Sequence, residues 1–290
     1  MRTKPLLVVL ALFLAATACS NPAGNGEIVL YATHEVDGQP LATDTLAYTN
    51  MADNLFLINE VQYFLSNITL EDQQGNCIHL ADMWYVDTNI PESQTLKTKD
   101  VPVGTYVLLR LTFGLNDADN LTGIFSNPPE SNMFWPDELG GGYHYMKLNG
   151  RYLNADSLLA PLTIHLGRGQ NAELTEFYDN SFVVELPINL TVSEDQESPL
   201  HLVMNIDRWF SDPHWVDLNT YGSAIMQNQE AQRVYCENGH NVFTIKTTDN
   251  MRSPLNTTME LLHKAAPKPH FMTWENLKNT FTNIKNTKNL

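Results

Sequence analysis

Positive charge is scarce in this chain. Only 17 Lys and Arg stand against 33 Asp and Glu, a formal charge of -16. A surface of that sign repels phosphate backbones and anionic membrane faces, which argues against a nucleic-acid-binding protein. Cysteine is scarcer still, three in 290 residues, so a disulfide-stapled miniprotein is excluded. Charged residues make up only 17% and hydrophobic ones 43%, which excludes a disordered chain. No internal repeat and no low-complexity block is visible. The familiar catalytic signatures are missing as well: no Gly-x-Ser-x-Gly elbow, no Walker loop, no HExxH and no CxxCH. With no nucleophile beside a base, the chain reads as a binding or interaction protein and not an enzyme.

The one long apolar run, Leu6 to Ala16, is too short for a permanent bilayer span. Arg2 and Lys4 precede it, and Ala16-Thr17-Ala18-Cys19 follows. This is the layout of a signal peptide over residues 1–18, cleaved before Cys19. Acylation of Cys19 would leave 19–26 as a lipidated tether, attaching the protein to a membrane through lipid. The expectation is a cell-envelope lipoprotein, periplasmic or on the outer membrane. An exported compartment is oxidising, so the remaining Cys77 and Cys236 are allowed to pair. Two separate thiols are the alternative.

The body reads as strands. Glu27 to His34 alternates and is rich in β-formers, and Asp37-Gly38 is a turn signal. Further strands are expected at Val61–Leu70, Cys77–Leu80, Tyr106–Gly114, Tyr143–Leu148, Leu162–Leu166, Phe182–Leu186, Leu200–Ile206 and Val242–Ile245. Helical periodicity is rare, with one short helix expected at Ala224–Gln229. Many short strands with regular turns predict an all-β fold, an antiparallel β-sandwich of jelly-roll or Greek-key type, over 27–250. The turn-rich stretch Asn116–Gly142 is too long for a hairpin, and loops of that size are usually functional. Residues 251–290 differ in charge: six basic residues and two acidic ones. They read as a basic, partly helical C-terminal extension.

Nine histidines are dispersed along the chain. In a β protein, metal ligands come from different strands, so dispersal does not count against a site. Imidazole suits copper or zinc.

Several segments, taken in order, carry a resemblance. They are His34-x-Val36-Asp37-Gly38-x-Pro40-Leu41, Phe64-Leu65-Ser66-Asn67-Ile68-Thr69-Leu70, Val101-Pro102-x-Gly104-x-Tyr106 and Leu111-x-Phe113-Gly114. Met133-Phe134-Trp135, Gly142-Tyr143-x-Tyr145-Met146-Lys147-Leu148-x-Gly150 and His165-Leu166-Gly167 follow. Met204-Asn205-Ile206-Asp207-x-Trp209-Phe210, Ile225-Met226-x-Asn228 and Asn238-Gly239-x-x-Val242-Phe243 close the series. Together they resemble the lipoprotein branch of the MbnP-like copper-binding domain family. The resemblance implies extracytoplasmic binding of one copper ion, as Cu(I), for storage, delivery or sequestration. It implies a tryptophan that a partner diheme peroxidase oxidises to kynurenine, and that joins two histidines at the metal. A copper-transport protein is the other partner implied. By position, Trp135 matches the tryptophan and His165 one histidine. One branch of the family carries its second histidine after the Phe-Gly strand, but here Leu115 to Asn120 contains none. His144 is the first candidate to replace it and His34 the next. The alternative reading is the same sandwich without metal, a scaffold or interaction module at the envelope.

Overall fold

The computed structural model describes residues 24–246. The leader, Cys19 and the extension 251–290 lie outside the described residues. In chain order the elements are β1 (Asn25–Val36), β2 (Gln39–Pro40), β3 (Tyr48–Thr49), β4 (Leu55–Asp72), β5 (Cys77–Asp87), β6 (Thr95–Pro102) and β7 (Gly104–Phe113). They continue with β8 (Met146–Leu153), β9 (Leu159–Leu166), β10 (Gly169–Gln170), β11 (Phe177–Tyr178), β12 (Phe182–Val192) and β13 (Glu197–Asn205). Two helices, α1 (Leu218–Tyr221) and α2 (Gln229–Gly239), precede the last strand, β14 (Phe243–Lys246).

Two sheets form a sandwich. The first runs β14-β13-β1-β2, with β6 also paired to β1. The second runs β12-β7-β4-β8-β9, with β3 and β5 also paired to β4. The all-β expectation holds, with one local difference. β1 and β13 pair in parallel, from Glu27 opposite Glu197 to Glu35 opposite Asn205. Alternation shows which residues face inward but not the direction of a distant partner strand.

Period-two patterning explains the core. Along β1, Ile28, Leu30, Ala32, His34 and Val36 all turn inward and are buried. They meet Phe56, Ile58, Tyr63 and Leu65 of β4. At the centre Phe113 packs between Tyr63, Phe182, Trp209 and Phe243, with ring centres 5.0 to 6.4 Å apart. Each such aromatic side chain contributes about 1.5–3 kcal/mol by leaving water.

The middle of β4 breaks the alternation: Tyr63, Phe64, Leu65 and Ser66 are all buried. A strand is buried on successive residues when both its faces are covered. Tyr63 and Leu65 face the space between the sheets. Phe64 faces a separate apolar cluster with Tyr85, Leu115, Met133 and Tyr143. Met133 belongs to the loop Asn116–Gly142 that the sequence marks as too long for a hairpin, Leu115 and Tyr143 flank it, and here that loop is a packed cover.

The edge of β4 explains where this cover sits. β8 pairs with β4 over Phe56–Tyr63 and β7 pairs with it over Leu65–Asp72. At the junction, Phe64 N donates to Tyr145 O at 3.0 Å and Gly114 N donates to Phe64 O at 2.8 Å. The end of β7, the start of β8, the end of β9 and the start of β12 therefore converge at one place. Residues 114–145 leave and return there.

Two expectations need correction. The main helix is α2, an eleven-residue helix that begins where the expected Ala224–Gln229 ends. Asn228 caps it, its side chain accepting from Ala231 N at 3.1 Å. Capping residues mark a helix start, so Asn228 begins the element instead of lying inside it. The permitted disulfide is absent, because Cys77 and Cys236 are both free. Cys77 opens β5, exposed beside Glu71, while Cys236 lies on α2 against the Asn180 carbonyl. Burial pushes the Cys236 thiol up to about 12, the range of an inert thiol.

Candidate metal centre

The site is assembled at the strand junction. His165 is the penultimate residue of β9 and His144 lies two residues before β8. Trp135 follows a short 3-10 turn, Glu130–Met133, in the cover. Trp135 N donates to Gly142 O at 2.9 Å, which ties this turn to the chain entering β8. Gly142 sits at φ +83°, and a Cβ there would lie 2.4 Å from Asn120 Oδ1. This crowded left-handed turn is one reason for glycine at that position.

Trp135 is fully buried. Its indole lies directly over Gly167, where a Cβ would come within 2.5 to 2.7 Å of three ring carbons. The glycine of His165-Leu166-Gly167 thus admits the tryptophan against the end of β9. Trp135 Nε1–H donates to Leu139 O at 3.0 Å.

The rings meet in sequence. Trp135 and His144 are 4.8 Å apart at their centres and nearly perpendicular. His144 and His165 are 5.1 Å apart, again nearly perpendicular. The two strongest sequence candidates, Trp135 and His165, are therefore joined through His144, the proposed replacement. His34 is not part of this group. It faces the core from the other sheet, its ring centre 5.7 Å from that of Tyr63. The alternation of β1 turns it inward.

Hydrogen bonds determine which nitrogens are free. His144 Nδ1 lies 2.9 Å from Met133 O. A carbonyl only accepts, so Nδ1 carries the proton and Nε2 of the neutral ring carries the lone pair. That Nε2 is buried and has no hydrogen-bond partner among the described residues. His165 is held through its other ring nitrogen, its Nε2 donating to Asn149 Oδ1 at 2.9 Å. Its Nδ1 then carries the lone pair.

Both rings are kept neutral. Burial pushes His144 down to about 3, and the positive charge of Lys147 pushes the same way. His165 falls to about 4, again through burial and then Lys147. A carboxylate is not the main influence on either ring. Nor do the described residues contain a group of three or more His, Cys, Asp or Glu placed to hold a metal. The arrangement is a pair of neutral imidazoles beside an indole. It suits a soft ion of low charge and low coordination number, as copper(I) is, better than a hard divalent ion. The indole itself offers no lone pair to a metal.

The profile of the MbnP family matches residues 25–229. The chain belongs to the MbnP family. Its candidate site is therefore built from residues inside the family domain, apart from the helix residue Gln232. Among solved structures the chain is similar to MbnP from Methylosinus trichosporium, at 15% identity over 67% of this chain and 80% of that one, with a TM-score of 0.48. A search of curated proteins finds no match.

Of the residues that hold the two imidazoles, Met133 lies in the Met133-Phe134-Trp135 segment but acts through its backbone carbonyl, and Asn149 is the unspecified position between Leu148 and Gly150. Asn149 and the carbonyl of Met133 set the two tautomers. Gln232 of α2 donates to His165 O at 2.8 Å and so ties the end of β9 to the helix. The signal for Asn149 lies in hairpin register. Lys147 opposes His165 and Asn149 opposes Thr163 across β8 and β9, which places all four on known faces once the turn is located.

Proposed function

We propose that the protein is an extracytoplasmic lipoprotein that binds one copper(I) ion between His144 and His165, for storage, delivery or sequestration. The observation that carries this reading is the His144 ring. It is neutral and buried, its Nδ1 is held by a carbonyl, and its Nε2 lone pair faces no donor among the described residues. A buried polar atom without a partner costs free energy unless something satisfies it. A metal ion shared with His165 would do so, through Nε2 of His144 and Nδ1 of His165. Copper(I) would supply a soft acceptor that two neutral imidazoles satisfy without an anionic ligand.

Trp135 fits the role of a third donor only after oxidation. Its Nε1–H is already used on Leu139 O, and kynurenine would bring an amine and a carbonyl to the same position. A peroxidase partner would make that change, so the protein would be a substrate and not an enzyme. Its affinity for copper then rests on two histidines in the unmodified chain and on three donors after modification.

The test is elemental mass spectrometry on the purified mature domain after copper(I) loading and desalting, with His165→Ala beside it. The expected result is close to one copper per chain, lost in the variant. Peptide mass would then show whether Trp135 is intact or kynurenine. Absence of retained copper in the wild-type protein would favour the metal-free scaffold reading.

A further inference from the structure

Lys147 has a place in this site that the copper reading does not use. It lies directly opposite His165 in the antiparallel β8–β9 pair, so the two side chains leave the same face. Its half-buried ammonium donates to Asn132 O, one residue before the Met133 carbonyl that holds His144. The ammonium is thus fixed between the supports of the two imidazoles, and its charge acts on both of them. Glu60 is the opposing charge that acts on Lys147. Glu60 is itself bound by Asn89 Nδ2 at 2.9 Å. Arg168, the other cation near the cover, is paired with Asp117. Lys147 therefore sets a positive field at both rings before any metal enters.

We propose that Lys147 is a specificity-determining residue, which admits a monovalent metal ion between His144 and His165 and discriminates against divalent ones. This rests on the copper reading of the same site. Coulomb repulsion is linear in the charge of the incoming ion. Lys147 therefore opposes zinc(II) or copper(II) twice as strongly, in free energy, as it opposes copper(I). Bidentate carboxylates and thiolates are how proteins usually offset divalent charge. Neither ring hydrogen-bonds to one, and Glu60, which acts on Lys147, offsets only part of its field. Lys147 touches no metal in this account; it acts through its field.

The doubling gives a quantitative signature. Lys147→Met should tighten copper(I) binding by some factor and zinc(II) binding by about the square of it. One unit charge in a half-buried site is worth on the order of tenfold for the monovalent ion. Selectivity for copper(I) over zinc(II) should then fall about tenfold. Lys147→Arg, which keeps the charge, should restore wild-type selectivity. Competition against chromophoric chelators reads both affinities on the mature protein, and thermal melting confirms that each variant is folded. Equal changes for both ions, or no rescue by arginine, would overturn the role of Lys147 while leaving the copper site intact. Failure of the folded wild type to hold copper(I) at all would overturn the site reading, and this inference with it.

Discussion

His34 and His144 are alike by most simple measures. Both are buried, both have an Nε2 without a hydrogen-bond partner among the described residues, and burial pushes both far down, to about 4 and about 3. They differ in their surroundings. His34 projects into the core between the sheets, with the ring of Tyr63 as its aromatic neighbour. His144 lies under the loop cover, with the ring of His165 5.1 Å away and that of Trp135 4.8 Å away. An unpartnered buried nitrogen is therefore not by itself a metal site. What separates the two positions is a second lone pair nearby and a carbonyl that fixes the tautomer. The difference follows from topology: four strand ends converge at His144, whereas His34 lies within a continuous strand.

The sharpest way to break the comparison is His144→Ala. It should abolish stoichiometric copper retention, measured by elemental analysis, with the fold kept. Next in size is Asn149→Ala, which frees His165 to rotate or change tautomer. Losing such an outer support typically weakens metal binding roughly 10–100-fold, which chelator competition would detect. Gly167→Ala forces a Cβ against the Trp135 indole and should destabilise the protein by about 1–3 kcal/mol, read in denaturant unfolding. The smallest effect on copper belongs to His34→Leu, which should leave retention unchanged.

His34→Leu should instead alter the response to acid. A histidine whose folded pKa is lowered takes up its proton in the unfolded chain first, at about 6.5. Stability of the metal-free protein should therefore fall as pH drops from about 6.5 toward 4, and the His34 share of that loss levels off below about 4. His34→Leu should show a shallower decline over this window in thermal melts. A profile identical to wild type would show that His34 takes up its proton as readily in the folded state as in the unfolded chain.

Much of this is legible in the sequence. Alternation locates β1 and turns His34 inward toward Tyr63, apart from the rings of Trp135, His144 and His165. Motif order places Trp135, His144 and His165 on segments that do meet. The parallel β1–β13 pair is not legible, because alternation is the same whichever way the partner strand runs. The start of α2 is readable in principle from Asn228 followed by Gln229-Glu230-Ala231, yet the expected helix falls too early. The supports of the ligands are hidden for a different reason. Asn149 and Lys147 reach His165 only through the register of β8 against β9, and Met133 contributes a backbone carbonyl that no side-chain pattern announces. Glycine at 167 is conspicuous in the sequence, but its reason, the indole over it, comes from a contact between distant segments of chain.

The most direct test of the account is the copper content of three folded proteins after identical copper(I) loading: wild type, His144→Ala and His34→Ala. The account predicts close to one copper in wild type and in His34→Ala, and none in His144→Ala. Copper kept by His144→Ala, or lost from His34→Ala, would contradict it.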